Sequence, residues 1–597
     1  MLKKLNIIIV FAISLIGILQ SCSKDIQDKK PGKEVVLRLE PSQKNPRNSE
    51  GDFIKLKDGS ILFIYSHFTG GSGDNASAHL ARRISYDKGV TWSDKDISII
   101  GNEGGMNVMS VSLLRLEDGE IILFYLRKNS ETDCIPFMRI SKDEGKTWGE
   151  SQRCIPDEGY HVVNNDRLLQ LASGRLLFPT SVHAAPDWKY GKIFSYYSDD
   201  LGKTWHKSKM IANPNNIVLQ EPGIVPLNDG NLLLFARTDV GFQYFSFSKD
   251  AGETWTEIKK GNIKSPLSPA AIERIPSTGD LLLLWNNNYK KGRDGGKRTP
   301  YSLAISKNEG KTWEYKKTVD SDPYGWYCYT AIEFIDNDVL LAYCAGDTKT
   351  NSGLSTTQIT KLSLDWVYKK ATPDPFVISD KETVILGCED KNAMIRYTLD
   401  GTLPSKDKGT IYKEPIKIKQ ISFLNMQAFA DEKTPSKIVS AQIGSNLLLE
   451  AQQVSSILKQ GIQYHYYEGL FNQTSEIEQL DSMKIGIYPT FIIGENDRIE
   501  NFAYIFNGFI KIPTDGRYTF YTKSNDGSVL YIDNQLIIDN DGAHGVYSKS
   551  GSISLKKGFH KIKIKYFQAG GGKLLNVSWE SDDFPKGEIT SAVLFHE

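Results

Sequence analysis

Short apolar runs recur along the chain, each entered through a tight turn. They follow Asp58-Gly59, Asp118-Gly119, Ser173-Gly174, Asp229-Gly230, Thr278-Gly279 and Asn337-Asp338, and read Ser60-Ile61-Leu62-Phe63, Glu120-Ile121-Ile122-Leu123, Arg175-Leu176-Leu177-Phe178, Asn231-Leu232-Leu233-Leu234, Asp280-Leu281-Leu282-Leu283 and Val339-Leu340-Leu341-Ala342. Runs this short, bounded by Gly, Asp and Asn, predict strands of antiparallel hairpins rather than helices. Six such hairpins predict six blades around a central axis. The early apolar stretch Val35 to Leu39 is expected to close the ring against the last blade, which protects a sheet edge.

An octapeptide, Ser-x-Asp/Asn-x-Gly-x-Thr-Trp, punctuates the same region five times. Its copies run from Ser85 to Trp92, Ser141 to Trp148, Ser198 to Trp205, Ser248 to Trp255 and Ser306 to Trp313, with starts 56, 57, 50 and 58 residues apart. The Asp or Asn and the Gly suit a tight turn, and the Trp can anchor it by packing. Composition agrees with a mainly β chain: 28 Tyr, 26 Phe and 10 Trp stand beside 50 Gly. At roughly 100 to 200 residues per domain, 597 residues predict several units. A net charge of +0, from 72 Lys+Arg and 72 Asp+Glu, excludes a broadly basic nucleic-acid binder, and 40% hydrophobic residues exclude a disordered chain.

The N-terminus has a basic start, Lys3-Lys4, an apolar run from Leu5 to Leu19, then Gln20-Ser21-Cys22. This predicts a cleaved export signal, because the run is short for a membrane-spanning helix. Leu19-Gln20-Ser21-Cys22 resembles the bacterial lipobox, which implies lipidation of Cys22, an anchor in the outer membrane and a polar tether over residues 23–33. Cys134, Cys154, Cys328, Cys344 and Cys388 remain, without the CxxC spacing of a zinc site. Their odd number leaves at least one thiol free.

In a propeller the inner ends of equivalent strands converge on one face, so equal offsets from each turn should form a ring. Nine residues before the second turn residue lie Asn165, Glu221, Ala270 and Tyr329; seven to nine after it lie His67, Arg127, His183, Arg237 and Asn287. Polar and charged groups gathered there, on otherwise apolar strands, mark the expected functional face.

The octapeptide resembles the Asp-box of the sialidase superfamily, where it is structural, and the resemblance extends to particular residues. Leu219-Gln220-Glu221-Pro222 and Leu234-Phe235-Ala236-Arg237 resemble that family's glutamate and second arginine. Arg298, just before the fifth box, resembles the third arginine; Tyr329 resembles the nucleophile, with Tyr327 its nearest rival. Arg47 stands in the first arginine's place, although Asn45-Pro46-Arg47-Asn48 departs from the usual Arg-Ile-Pro, and Asp74 stands where the acid/base belongs. The resemblance implies substrate binding by Arg47, Arg237 and Arg298 and catalysis by Asp74, Glu221 and Tyr329.

That set of residue types suits one chemistry. Three arginines can hold a carboxylate on an anomeric carbon through charge-assisted bonds. A carboxylate nucleophile would be repelled by that charge, whereas a neutral phenol would not, and sialidases are the tyrosine exception among glycosidases. A phenol of pKa about 10 needs a neighbouring base, here Glu221, and Asp74 would protonate the leaving oxygen and then activate water.

After Trp366 the turn rhythm ends and Ala371 to Phe376 predicts a linker. Ile395-Arg396-Tyr397-Thr398-Leu399-Asp400-Gly401-Thr402-Leu403-Pro404 resembles the small β-sandwich at the C-terminus of chitobiase-type enzymes. Tyr464-His465-Tyr466-Tyr467-Glu468-Gly469 and Ser524 to Ile532 resemble the protective-antigen-type β-sandwich, although the paired aspartates of its calcium-binding lectins are here Asn525-Asp526. The expectation is an all-β chain: a signal over residues 1–22, a six-bladed β-propeller over 34–370, then β-sandwich modules over 371–446 and 447–597. The activity expected from the resemblance is that of an exo-acting, retaining sialidase, a monomer acting on sialylated glycans or glycoproteins. It needs no cofactor or metal, and binds no nucleic acid. A hydrolase of a related acidic keto-sugar and a non-catalytic surface glycan-binding propeller stay open beside it.

Overall fold

The computed structural model describes residues 32–289, 297–350, 352–379, 383–417, 422–444, 448–454, 457–495 and 497–597. The expected signal, the lipidation site Cys22 and all of the tether but its last two residues lie outside them.

Six four-stranded antiparallel blades form the first unit. Blade I comprises Arg47–Lys55, Ile61–Phe68, Ala78–Ser85 and Ile97–Ile100; blade II comprises Asn107–Arg115, Ile121–Lys128, Cys134–Ser141 and Gln152–Arg153. In blade III the inner strand is split into Tyr160–Val162 and Leu169–Gln170 and pairs with Leu176–His183, followed by Lys192–Ser198 and His206–Lys207. Blade IV comprises Gln220–Pro226, Leu232–Arg237, Phe242–Ser248 and Lys259–Lys264, and blade V Ala271–Arg274, Leu281–Asn286, Tyr301–Ser306 and Glu314–Asp320. Blade VI takes Gly325–Ile335, Asp338–Asp347 and Thr357–Ser363 from one end of the unit and Lys33–Leu39 from the other. Lys33 pairs with Leu362 and Leu39 with Thr357, so the early strand closes the ring as its pattern predicts.

The second strand of each blade is apolar on both faces because each face meets a different neighbour. Ile61, Phe63 and Tyr65 pack with Leu340 and Ala342 of blade VI, while Leu62 and Ile64 pack with Val111 and Leu123 of blade II. The five octapeptides fasten the outer hairpins. In the second, Ser141 Oγ accepts from Gly145 N at 2.8 Å and donates to Asp143 Oδ1 at 2.9 Å. Asp143 also accepts from Thr147 N at 2.8 Å and Thr147 Oγ1 at 2.6 Å. The bonds recur in the other copies, except that in the fifth Asn308 replaces Asp and its Nδ2 donates to Thr312 Oγ1.

After the propeller in the chain, sheets built from Phe376–Ser379, Thr383–Gly387 and Ile416–Lys417, and from Thr410–Ile411, Met394–Thr398, Ser422–Phe429 and Val439–Ile443, enclose Val384, Leu386, Leu424 and Met426. The last unit packs a five-stranded against an eight-stranded sheet around an aromatic core that includes Tyr504, Phe506, Tyr518 and Trp579. Its Asp526 carboxylate accepts from the N–H groups of His544, Ala569 and Gly570, so it fastens loops. Among the described residues, no group of three His, Cys, Asp or Glu is arranged to hold a metal. All five described cysteines are free thiols, with Cys328 and Cys344 opposite each other in blade VI.

The Ser141→Ala variant leaves the buried Gly145 N–H without its acceptor and should cost about 1–3 kcal/mol, read as a lower propeller transition in calorimetry. The hydroxyls and amides of Thr147 and Thr204 hold the Asp143 and Asp200 carboxyls down at about 2. Their contribution is complete above the unfolded-chain value of about 4 and is lost as pH falls towards 2. An Asp143→Asn/Asp200→Asn variant should therefore show a shallower decline of thermal midpoint over that interval.

Candidate active site

A regular strand alternates its side chains between the two faces of a blade and points none along its own plane towards the axis. Four inner strands break register to do so. The breaks lie between Ser49 and Asp52, Met109 and Ser112, Gln220 and Gly223, and Cys328 and Ala331. Within them Glu50, Ser110, Glu221 and Tyr329 take left-handed conformations with φ of 54°, 58°, 48° and 57°, and Asp166 of blade III follows at 56°. Such residues are uncommon outside glycine and concentrate where a bulge re-aims a side chain.

Blades IV, V and VI supply one half of the site. Tyr329 Oη donates to Glu221 Oε1 at 3.1 Å, and Arg237 Nη2 lies 3.0 Å from the same oxygen. Arg298, from the segment before Tyr301–Ser306, places its guanidinium 5.5 Å from the Tyr329 ring centroid and 4.9 Å from that of Trp326. The Nε and Nη1 atoms of both Arg237 and Arg298 are buried without a hydrogen-bond partner among the described residues. Two cations with unused donors form a site for an anion. Burial, and then the charge of Glu221, push the Tyr329 phenol well above its ordinary value, while Arg298 and Arg237 oppose them. The phenol is therefore protonated at neutral pH and needs an acceptor for its proton. Tyr327 packs instead with Tyr301 and Tyr343, away from Glu221.

Blade I supplies the other half. Arg47, 1% exposed, lies over Phe68 and donates to Glu50 Oε1 at 2.6 Å, Ser49 Oγ at 2.9 Å and Asp74 Oδ1 at 2.5 Å. Glu50 also accepts from Ser110 Oγ. Burial works to raise the Asp74 carboxyl, but the charge and hydrogen bond of Arg47, followed by Lys128 and Arg298, hold it below its ordinary value. Asn165 joins the halves: its amide donates to Gly51 O at 2.8 Å and Tyr329 O at 3.1 Å. The six residues singled out in the sequence thus converge on one face.

The ring itself differs from the one expected. His67 turns to His79 and Asp96, and Arg127 lies over Phe137, because both sit one position from the inward-facing register. Phe68, Lys128 and His183, nine residues past their turn glycines, take the inward places. A cleft of about 560 Å³ opens beside Glu221 and Arg237, with Lys128, Tyr160, His183 and Trp188 on its walls. Glu50 and Ser110 are the residues the sequence reading missed. The offset of nine before the turn, extended to Gly59 and Gly119, leads to them.

Residues 103–341 match the family model described as a BNR repeat-like domain, 384–443 the Fn3 associated model and 461–591 the PA14 domain model. Sialidase-3 of Rattus norvegicus is 34% identical over 130 residues, covering 19% of this chain and 31% of that protein. Sialidase of Clostridium perfringens is 28% identical over 238 residues, 33% of this chain and 58% of that protein. Anhydrosialidase of Macrobdella decora is 24% identical over 302 residues, 46% of this chain and 37% of that protein. The chain spans less than two thirds of the length of each. The propeller thus carries a BNR repeat-like match, with Fn3-associated and PA14 matches in the units that follow, and the relatives of the chain include sialidases.

Glu50→Ala removes one partner of a buried ion pair and should lower stability by about 3–5 kcal/mol, measured as a shift of the propeller unfolding transition. A shift below about 1 kcal/mol would contradict a structural role for the pair.

Proposed function

We propose that the protein is an exo-α-sialidase that hydrolyses terminal sialic acid from glycans with retention of configuration. The observation that carries this is the Tyr329 hydroxyl hydrogen-bonded to Glu221 beside Arg237 and Arg298, each of which keeps buried N–H donors without a partner among the described residues. The substrate carboxylate binds Arg237 and Arg298, with Arg47 completing the triad. Tyr329 Oη attacks the anomeric carbon as its proton passes to Glu221, and Asp74 delivers a proton to the departing oxygen. Asp74 then takes a proton from water, which attacks the same carbon, while Glu221 returns its proton to the departing Tyr329 oxygen and releases it as a phenol. Two inversions give net retention. Export with a lipid anchor at Cys22, facing sialylated glycans at the outer membrane, belongs to the same proposal.

The low proton affinity of Asp74 is consistent with its role as an acid once substrate is considered. A carboxylate added to Arg47, Arg237 and Arg298 offsets the positive charge that holds Asp74 ionised, and so raises its affinity for the proton it must carry. The alkaline limb of kcat, which reports the complex, should therefore lie at higher pH than that of kcat/KM, which reports the free protein.

The first test is release of 4-methylumbelliferone from its α-sialoside by the purified chain and by Tyr329→Phe. Turnover by the parent with a loss of about 10³-fold or more in the variant supports the reading. A folded parent that binds sialylated glycans without turnover would make it a glycan-binding propeller. A parent that neither binds nor cleaves them would move the substrate to another acidic keto-sugar.

A further inference from the structure

Asp74 belongs to blade I, yet its loop is fastened by blade II. The loop leaves Ile61–Phe68 and returns at Ala78–Ser85, with Thr69 N and Gly70 N both donating to Ser77 O. Gly70, Gly71 and Gly73 make its backbone permissive, and from blade I Arg47 Nη1 steadies it at Ser72 O, 3.2 Å, beside its bond to the Asp74 carboxylate. Asn107 holds the main chain of Asp74 itself from outside. Fully buried, its amide donates to Asp74 O at 2.9 Å and to Ala76 O at 2.9 Å. Lys128, the cross-strand partner of Asn107 and 2% exposed, adds its Nζ to the same Asp74 carbonyl at 3.2 Å. The Lys128 ammonium also stands 5.1 Å from the Tyr160 ring centroid, which holds the long side chain in place. A third tie, from Asn75 Nδ2 to Glu131 Oε1 at 3.1 Å, joins the loop to the same hairpin of blade II.

Both lone pairs of the Asp74 carbonyl are thus engaged by donors from a neighbouring blade, while its carboxylate meets Arg47. We propose that Asn107 and Lys128 are positioning residues that hold the acid/base loop in register with the nucleophile. The proposal rests on the acid/base role given to Asp74 above. Its physical basis is that proton transfer needs the carboxyl within hydrogen-bond reach of the leaving oxygen, and a misplacement of about 1 Å can cost about 100-fold. The clamp also explains why an Asn and a Lys are buried opposite each other at the paired ends of Asn107–Arg115 and Ile121–Lys128, where a buried ammonium is costly unless its position is used.

Leaving groups separate this role from a general structural one. A 4-nitrophenyl α-sialoside departs with little help from an acid, whereas sialyllactose needs the proton. Asn107→Leu keeps the branched shape and removes both donors, and Asn107 does not line the cleft. It should lower kcat/KM for sialyllactose by about 10 to 100-fold and for the aryl sialoside by less than about threefold. Inhibition by free N-acetylneuraminic acid should stay unchanged, since the arginines are untouched. Asp74→Ala should show the same split, larger. Equal losses on the two substrates, or no loss on either, would overturn the clamp. If Asn107→Leu does not fold, Asn107→Ala, which also removes the donors, must show the split; its absence overturns the proposal equally. A parent that cleaves neither substrate would instead overturn the assignment of Asp74, and the clamp with it.

Discussion

The constraint on which this site depends is that an inner strand cannot aim a side chain at the propeller axis and keep its ladder intact. The chain meets it by breaking the ladder once in each of four blades and placing Glu50, Ser110, Glu221 or Tyr329 in the left-handed region. Each such residue costs about 1–3 kcal/mol. The cost is offset locally: Asn165 accounts for the carbonyls of Gly51 and Tyr329, Ser110 Oγ meets Glu50, and Ser181 Oγ accepts from Glu221 N at 3.3 Å. The outer hairpins, pinned by the octapeptides, keep the blades rigid enough for these contacts to be held at once.

Charge follows from the same placement. Arg47 and Arg298 are buried and Arg237 nearly so, beside Glu50, Glu221 and the more exposed Asp74, so three cations meet three carboxylates. The balance is uneven in space: Glu50 and Asp74 both sit on Arg47, while Arg298 has no carboxylate of its own among the described ion pairs. An incoming carboxylate therefore finds its unmet donors on the side of Tyr329, near the carbon that the phenol would attack. In the proposed mechanism Arg47 would act from the opposite side, where its bond to Asp74 would link binding of the anion to readiness of the proton.

Much of this was legible in the sequence. The turns gave the blades, the octapeptides their outer edges, and the six candidate side chains stood at recognisable distances from both. The ring was read less well. Asn165 was placed on the face for its offset, and it is there, but as a bridge between main chains, with the left-handed residue one position later at Asp166. His67 and Arg127 were one residue out, which on a strand reverses the face. Asn107 and Lys128 left no signal, because their partners lie in a loop some thirty to fifty residues away, and a contact between blades has no period along the chain.

The account turns on Tyr329 as the nucleophile, and the direct measurement is the covalent intermediate. A fluorinated sialosyl donor that slows hydrolysis of the glycosyl-enzyme, followed by acid quench and peptide mass spectrometry, would trap it. The account predicts a sialosyl adduct on the peptide that contains Tyr329, with fragmentation placing it on that residue and none formed in Tyr329→Phe. An adduct on another residue, or steady turnover with inversion and no adduct at all, would contradict it.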